Sequence, residues 1–317
     1  MIRRFPVVLA GMLSFGVMIG MAGCTGASSG ASATAAASAA QAVSSAVPSG
    51  SPSASAPPSS ADPAGCPLPQ SGFDCDFQKR IAAADAYAKT RPGTVGIVLR
   101  DRKTGAVWRN GNAGTLIWTE STIKLAMTVN LFLRDRAGQI SLSADDRSLI
   151  QKMLHSSDDD AADTLWFKYA GADHMAFNNA FPTYGMTSLQ PERGFTKFFP
   201  YWGFQKCTAD DLDRLINYVL DKLPGDTRDY IVNQLQNVDP DQQWGVWGAG
   251  PAAQPGNKDG WGPEDNGWNM NTVGFVGPNQ RYTLVVMNEL LGHGGYNEGQ
   301  ATDSHISSLL FTGRDLS

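Results

Sequence analysis

Residues 25–65 consist almost wholly of Ala, Ser, Gly and Pro, and Asp62 is the only charged residue among them. A segment of this composition cannot bury enough apolar surface to offset the entropy lost on ordering. It therefore predicts a flexible tether, which together with Cys24 spans residues 24–65. The remaining residues, 66–317, are enough for one domain with a complete hydrophobic core.

The first residues have the pattern of an export signal. Arg3 and Arg4 precede an apolar stretch from Phe5 to Ala22, and small residues lead up to Cys24. This stretch resembles the lipobox of bacterial lipoproteins, which implies removal of residues 1–23 and attachment of lipid to Cys24. We then expect an exported protein anchored to the outer face of the cytoplasmic membrane. The alternative is an uncleaved anchor helix, because the apolar stretch is close to the shortest spanning length of roughly 17 residues.

Charge and motif content exclude several classes of function. Removal of the signal takes away two positive charges and changes the net charge from −5 to −7. An acidic chain without a basic patch is not expected to bind nucleic acid. The four histidines lack H-E-x-x-H spacing and no G-x-S-x-G occurs within residues 66–317, so neither a zinc enzyme nor an α/β-hydrolase is expected. We expect no metal and no organic cofactor.

Lipidation of Cys24 leaves three cysteines in an oxidising compartment. We expect Cys66 and Cys75 to form a disulfide and Cys207 to remain free. Pairing of Cys75 with Cys207 stays open, because disulfide connectivity cannot be deduced from sequence alone.

Apolar periodicity along residues 66–317 changes between helix and strand. It predicts a helix over Asp76–Arg91 and a hairpin from Thr94–Leu99 and Ala106–Trp108. Further helices are predicted over Ser121–Arg134, Ala144–Leu154, Asp159–Tyr169, Thr208–Leu223, Asp226–Gln236 and Glu298–Leu310, with a second hairpin from Trp268–Val276 and Arg281–Met287. This order predicts an α+β fold in which a helical part lies between sheet segments.

The first candidate site is the S-x-x-K sequence from Ser121 to Lys124, at the start of a predicted helix. Residues three apart on a helix share a face, so Lys124 is expected beside the Ser121 hydroxyl. A desolvated Lys can lose its proton and deprotonate the Ser, while the helix N-terminus stabilises a developing oxyanion. The alternative is a Ser N-cap with a surface Lys, since S-x-x-K is frequent by chance.

Two further motifs follow in chain order: Ser157–Asp159 begins a predicted helix, and Lys258–Trp261 precedes the late hairpin. Within the second, Lys258 offers a point charge to a substrate carboxylate, and Gly260 lets substrate approach the strand backbone. The alternatives are an acidic helix start, which the helix dipole favours, and a polar turn before a strand.

The three motifs, in this order and in an exported lipoprotein, resemble the S-x-x-K, S-x-N and K-T-G elements of the β-lactamase and penicillin-binding-protein superfamily. Other stretches resemble an actinobacterial lipoprotein branch related to class A β-lactamases: Gly185–Ser188, Trp202–Gly203, Thr208–Asp210, Trp244–Gly245 and Trp268–Asn271. The resemblance covers Asp76 to the C-terminus. It implies a β-lactamase/transpeptidase-like fold, an antiparallel sheet flanked by helices with a helical subdomain inserted in the middle.

The resemblance also implies a role for each motif residue. Ser121 attacks a carbonyl, Lys124 takes its proton, and Ser157 relays a proton to the leaving nitrogen. Lys258 holds a substrate carboxylate. The backbone N–H groups of Ser121 and Trp261 form the oxyanion hole.

Two residues depart from the family pattern. Asp159 stands in the substrate-binding position where the family has Asn, and a carboxylate cannot donate an N–H hydrogen bond. It can also pair with Lys124 and raise the pKa of that amine. Glu192 lies where class A enzymes carry the base that activates the deacylating water, but the residues after it do not match E-x-x-L-N. A solvated loop Glu is the alternative.

The leading hypothesis is a lipid-anchored, monomeric serine hydrolase that forms an acyl-enzyme through Ser121 and acts on β-lactams or related amides. A D,D-peptidase acting on peptidoglycan stem peptides is the second hypothesis, because without Glu192 as a base the acyl-enzyme would persist. The third is a non-catalytic envelope binding protein, for which Asp159 is the reason.

Overall fold

In a computed structural model of the chain, the residues described are 65–68, 70–194 and 196–317. The predicted signal, the Cys24 lipidation site and the predicted tether up to residue 64 lie outside them. The described residues form seven α-helices: α1 (Cys75–Lys89), α2 (Ile123–Arg136), α3 (Ala144–His155), α4 (Asp159–Tyr169), α5 (Ala209–Lys222), α6 (Gly225–Gln236) and α7 (Tyr296–Phe311). None of these helices is long and apolar enough to cross a membrane.

The described residues also form eight β-strands: β1 (Thr94–Asp101), β2 (Val107–Arg109), β3 (Ile117–Trp118), β4 (Gln190–Pro191), β5 (Gln205–Cys207), β6 (Gly256–Glu264), β7 (Gly267–Val276) and β8 (Tyr282–Glu289). Five of them build an antiparallel sheet in the order β2-β1-β8-β7-β6, and a small second sheet has the order β3-β5-β4. Since α2 to α6 lie in sequence between β2 and β6, the predicted α+β fold with an inserted helical part is confirmed.

Strand β6 is an edge of the main sheet. It pairs with β7 from Gly256 opposite Phe275 to Glu264 opposite Gly267. Among the described residues no other strand pairs with β6. One long border of this strand is therefore open to the helical part of the fold.

One predicted element differs from that observed in a way that matters for the site. The helix expected from Ser121 begins at Ile123, because Glu120–Thr122 forms a 3-10 turn before it. The stretch Lys258–Trp261 lies ahead of the late hairpin as expected, and it forms part of a strand, β6, that pairs with β7. The alternative of a polar turn at this stretch is therefore wrong.

The main sheet is buried on both faces. Side chains of a strand point alternately to opposite faces. In β8, Val285 and Met287 pack with the helical part, whereas Leu284 and Val286 pack with α1 and α7. A strand that is covered on both sides reads as a continuous apolar run, as this one does.

Capping residues begin two helices of the inserted part. Ser143 accepts a hydrogen bond from Asp146 N and donates its own N–H to the Asp146 carboxylate, and Thr208 and Asp211 form the same reciprocal pair at α5. The buried Asp146 carboxylate also accepts a hydrogen bond from Lys168 Nζ at 2.7 Å. This ion pair joins α3 to α4.

A disulfide joins Cys66 to Cys75 and ties the first described residues to the start of α1. Cys207 is a free, buried thiol in β5. Burial raises the pKa of this thiol, which keeps it protonated and unreactive at neutral pH. The alternative pairing of Cys75 with Cys207 is excluded.

We expect Phe77→Ala to lower the free energy of unfolding by about 3 to 5 kcal/mol, since the change leaves a cavity in the core. Phe77 is 1% exposed, and its ring lies 5.2 Å from that of Tyr282 and 5.9 Å from that of Phe311. Urea denaturation followed by tryptophan fluorescence measures the loss. The control is Phe198→Ala, because Phe198 is 44% exposed and should cost under about 1 kcal/mol. Equal losses in both variants would contradict the core role of Phe77.

Candidate active site

Ser121 lies in the 3-10 turn Glu120–Thr122, called here the Ser121 turn, directly before α2. Asn271 of β7 fixes the approach to this turn, because its Nδ2 donates to the Trp118 carbonyl oxygen at 2.8 Å. Glu120 has a φ of 49°, an uncommon conformation for a residue other than glycine. The turn places Ser121 at the N-terminus of α2, where the helix dipole favours a developing negative charge.

Strand β6 passes close to the Ser121 turn, and two glycines allow this approach. A Cβ on Gly260 would lie 2.7 Å from Ser121 N, and one on Gly262 would lie 2.5 Å from Glu120 Oε2. Contacts this short do not occur for real Cβ atoms, so a larger residue at 260 would displace the strand or the Ser121 turn, and one at 262 would displace the Glu120 carboxyl. The backbone of Trp261, between the two glycines, therefore lies beside Ser121.

Lys124 is fully buried one helical turn after Ser121. Its Nζ donates to the Ser157 carbonyl oxygen at 2.6 Å and to Asp159 Oδ1 at 2.5 Å. Burial lowers the pKa of Lys124, and Asp159 opposes this shift without reversing it. The expected pairing with Asp159 is thus present, and Asp159 acts to raise the pKa of Lys124 as expected, but desolvation is the larger effect and leaves the pKa below its usual value.

Ser157 lies between the two lysines of the site. Its Oγ accepts a hydrogen bond from Lys258 Nζ at 2.8 Å and lies 3.4 Å from Lys124 Nζ. The backbone of Ser157 has a φ of 58°, and the next residue, Asp158, caps α4 by accepting a hydrogen bond from Ala161 N at 2.7 Å. This cap fixes the bend that directs Ser157 toward both amines.

The Lys258 side chain is 1% exposed and is directed to groups of the protein itself. Besides Ser157, its Nζ donates to the Asp259 carbonyl oxygen at 2.7 Å. Burial and the nearby Lys124 amine lower the pKa of Lys258. A residue expected to hold a substrate carboxylate is therefore engaged with Ser157 in this structure.

The carboxylate that contacts Lys124 belongs to Asp159 and not to Glu192. The Asp159 side chain is 72% exposed, so it offers a hydrogen-bond acceptor to solvent at the mouth of the site. Glu192 follows β4, and its backbone N donates to the Phe204 carbonyl oxygen at 2.8 Å. Within the part of the chain that is described, the Glu192 carboxylate forms no hydrogen bond and no ion pair. Among the described residues, neither lysine is hydrogen-bonded to Glu192.

Two carboxyls to which the sequence assigned no role are buried in or next to the site. Burial raises the pKa of Glu120 to about 8, and repulsion from Glu264 and Asp159 adds to the shift. Burial also raises the pKa of Asp259 to about 8. Both carboxyls are mainly protonated at neutral pH. Each adjoins a motif residue in sequence, but nothing in the sequence indicates that it is buried.

Trp202 is a further residue of the site, and the sequence motifs assigned it no function. Its ring centre lies 4.6 Å from Lys124 Nζ, close enough for a cation–π contact with the protonated amine. Its Nε1 donates to Asp163 Oδ1 at 2.7 Å, and Tyr201 donates its hydroxyl to the same oxygen at 2.5 Å. Asp163 therefore fixes the indole over the amine. The signal available was the Trp-Gly pair that contributed to the family resemblance.

This arrangement has the components of acyl transfer. The Ser121 hydroxyl makes no hydrogen bond to the described residues, so it is free to meet a substrate. A buried amine with a lowered pKa can accept its proton, and the hydrogen-bonded Ser157 can pass a proton onward. Among the residues that the structure describes, no group of three or more His, Cys, Asp or Glu side chains is placed to hold a metal ion.

Solved structures with the same fold are β-lactamases. A structure described as an ancestral (GNCA) class A β-lactamase matches with a TM-score of 0.59 and 16% identity, over 74% of this chain and 98% of that chain. A β-lactamase from Xanthomonas campestris matches with a TM-score of 0.61 and 16% identity, over 74% of this chain and 97% of that chain. A β-lactamase from Chitinophaga pinensis matches with a TM-score of 0.62 and 14% identity, over 73% of this chain and 97% of that chain. The chain therefore has the class A β-lactamase fold.

A sequence relative comes from the mycobacteria. The Mycobacterium tuberculosis protein named "Putative lipoprotein LppW" is 28% identical over 228 residues, which cover 69% of this chain and 70% of that protein. This similarity agrees with the resemblance to an actinobacterial lipoprotein branch. No protein-family model matches the chain.

We expect Asp259→Asn to stabilise the protein more at pH 8 than at pH 5. Burial raises the pKa of the Asp259 carboxyl from 3.8 to about 8, so the folded state holds a proton that the unfolded state releases in this window. Stability therefore falls as the pH rises through it, and Asn removes this loss. The gain over the wild type should be larger at pH 8 by about 2 kcal/mol or more.

Urea denaturation of both proteins at the two pH values measures this difference. The control is Asp160→Asn, which changes an exposed carboxyl in the first turn of α4 and should show no such dependence on pH. An equal gain for Asp259→Asn at pH 5 and pH 8 would contradict a protonated, buried Asp259.

Proposed function

We propose that the chain is a serine hydrolase that forms an acyl-enzyme through Ser121 and acts on β-lactams or related amides. The observation that carries this proposal is the Ser157 hydroxyl, which lies between the buried amines of Lys124 and Lys258. Removing an amine from water costs several kcal/mol if it stays charged, so burial of two amines at one hydroxyl is costly for the fold. Such perturbed groups concentrate at functional sites.

In the proposed reaction, Ser121 Oγ bonds to the substrate carbonyl carbon while its proton passes to the neutral Lys124 amine. The backbone N–H groups of Ser121 and Trp261 stabilise the oxyanion. When the C–N bond breaks, Ser157 gives its proton to the leaving nitrogen and regains one from Lys124. Water then cleaves the Ser121 ester, which releases the acid and restores the hydroxyl.

Lys258 has a distinct part in this scheme. Because Ser157 Oγ accepts a hydrogen bond from Lys258 Nζ, the hydroxyl proton of Ser157 remains available for the leaving nitrogen. Lys258 thereby orients Ser157, and the N–H groups of its amine are also available to a substrate carboxylate that reaches the site. At the mouth, the exposed Asp159 accepts hydrogen bonds only, which favours an acyl donor that presents an N–H there.

We also propose that the protein is exported and attached to the outer face of the cytoplasmic membrane through lipid on Cys24. The support is the lipobox-like sequence before Cys24 and the name of the mycobacterial relative, which describes a lipoprotein. The predicted tether, residues 24–65, would let the domain act some distance from the membrane. We propose that it works there as a monomer on a small-molecule substrate.

The proposal is tested by incubating the detergent-solubilised protein with a fluorescent penicillin and, separately, with an uncharged p-nitrophenyl ester. We expect one acyl adduct in intact mass spectra, absent in Ser121→Ala because the attacking oxygen is gone. The control is Ser156→Ala, which changes an exposed hydroxyl that donates to the Lys152 carbonyl oxygen and should leave the adduct in place. Absence of an adduct with both reagents would favour a non-catalytic envelope binding protein.

A D,D-peptidase that acts on peptidoglycan stems is the second candidate. The observation that favours it is that Glu192, the candidate deacylation base, forms no hydrogen bond with Lys124 or Lys258 among the described residues. An acyl-enzyme that persists for minutes would support this candidate. Rapid turnover of nitrocefin that Glu192→Gln abolishes would instead assign Glu192 as the base of a β-lactamase.

We expect Asp159→Asn to move the acid limb of Ser121 acylation to lower pH. Asp159 raises the pKa of Lys124, so its loss leaves more of the amine neutral at a given pH and frees Nζ for Ser121. Acylation at pH 6 should become roughly 3- to 10-fold faster. Stopped-flow rates from pH 5 to 9 measure this shift, with Asp160→Asn as the unshifted control. An acid limb unchanged by Asp159→Asn would show that the pair does not control Lys124.

A further inference from the structure

Glu120, immediately before Ser121, carries a carboxyl that lies against the backbone of β6. Its Oε2 is 2.5 Å from the position that a Cβ on Gly262 would take, so the carboxyl fills the space of a missing side chain. Its Oε1 is buried and has no hydrogen-bond partner among the described residues. An unpaired buried oxygen is costly, and its presence beside a nucleophile requires a specific explanation.

Strand β7 places a second unpaired group on the same face. Asn269 is directly opposite Gly262, and directly paired residues of antiparallel strands project to the same side of the sheet. Asn269 is fully buried, and neither its Nδ2 nor its Oδ1 has a partner in the described ranges. A protonated carboxyl carries both a donor and an acceptor, as an amide does, whereas a carboxylate only accepts. A protonated Glu120 can therefore satisfy both a donor and an acceptor of an amide, whereas an ionised Glu120 can satisfy only the donor.

The charged groups around Glu120 favour its protonated form. Glu264 on β6 and Asp159 at the start of α4 repel a negative charge on Glu120, and burial adds to their effect, so the pKa of Glu120 rises to about 8. The amines of Lys124 on α2 and Lys258 on β6 hydrogen-bond to other groups of the site. No cation neutralises this carboxyl among the described residues.

The spacing of residues along β6 gives the distance from the Glu120 carboxyl to the oxyanion site. Gly260 lies against Ser121 N and Gly262 against the Glu120 carboxyl, and two residues of strand span about 6.6 Å. A carboxylate at that distance opposes the negative charge that develops on the substrate carbonyl oxygen beside Ser121 N. With an effective dielectric constant of about 20, this repulsion slows acylation roughly 10- to 100-fold.

We propose that Glu120 must be neutral for Ser121 to be acylated, so that ionisation of Glu120 sets the alkaline limit of the reaction. This inference rests on the proposed acyl-enzyme function. Glu120 acts through the oxyanion site and does not touch the substrate. Acylation then rises with pH as Lys124 loses its proton and falls again as Glu120 loses its own, which gives a bell-shaped profile.

The test is the pH dependence of Ser121 acylation in the detergent-solubilised protein with uncharged p-nitrophenyl acetate. The p-nitrophenolate leaving group needs no proton, so the rate reports the attack on the carbonyl. Rates are measured from pH 6 to 10 by the p-nitrophenolate burst, with the rate of Ser121→Ala subtracted. We expect the wild-type rate to fall roughly 10- to 100-fold above pH 8, and Glu120→Gln to remove this fall because Gln cannot ionise.

A second variant tests the same idea without changing the Ser121 turn. Glu264 helps to keep Glu120 protonated, so Glu264→Gln should move the alkaline limb to lower pH and leave the maximal rate and the acid limb unchanged. A merely structural effect of either substitution would lower the rate at every pH and would not move a limb.

The outcomes separate the two proposals. If no Ser121 adduct forms at any pH, the proposed function is wrong and this inference is overturned with it. If the adduct forms and Glu120→Gln retains the alkaline limb at its wild-type position, this inference alone is overturned. An alkaline limb that Glu264→Gln does not move would likewise overturn it.

Discussion

One hydrogen bond joins the sheet to the inserted helical part at the candidate site. Lys258, on the edge strand β6, donates to Ser157 at 2.8 Å across 101 positions of sequence. Lys124, from a third part of the chain, donates to the carbonyl oxygen of the same serine. Glycines at 260 and 262 let β6 come close enough to the Ser121 turn for this convergence. The remaining features of the site depend on that close approach, because it removes water from every group between the strand and the helices.

Loss of water acts in opposite directions on the amines and the carboxyls. It lowers the pKa of Lys124 and Lys258 and raises that of Glu120 and Asp259. Each group is thereby shifted toward its uncharged form, which is the form that an environment of low dielectric constant favours. A neutral amine can accept a proton from a hydroxyl, and a neutral acid does not oppose a nearby oxyanion. The electrostatics required for acyl transfer thus follow from burial.

Local patterns were enough to find most elements and the three motifs. Helix α4 was predicted with its observed bounds, because Asp158 is an N-cap residue and the apolar spacing that follows is regular. Glu192 was chosen by its position after this helix, and among the described residues it forms no hydrogen bond with either lysine. The path of a loop depends on what it packs against, and here Asp163 anchors Trp202 over Lys124 instead. The position of a residue along the chain does not show which side chains a loop will pack against.

The sequence by itself predicted the seven helices and the strands β1, β2, β7 and β8 of the described residues, and an α+β fold. It also grouped Ser121, Lys124, Ser157 and Lys258 through the order of motifs that resemble those of one superfamily. These properties depend on apolar period, capping residues and motif order, which act over short stretches or are read directly along the chain. Only the tertiary structure decided that burial outweighs Asp159 in its effect on the pKa of Lys124, that Lys258 is engaged with Ser157, and that Glu120 is a buried acid. These properties depend on burial and on distances between residues far apart in sequence, because desolvation and Coulomb energies are set by the folded arrangement.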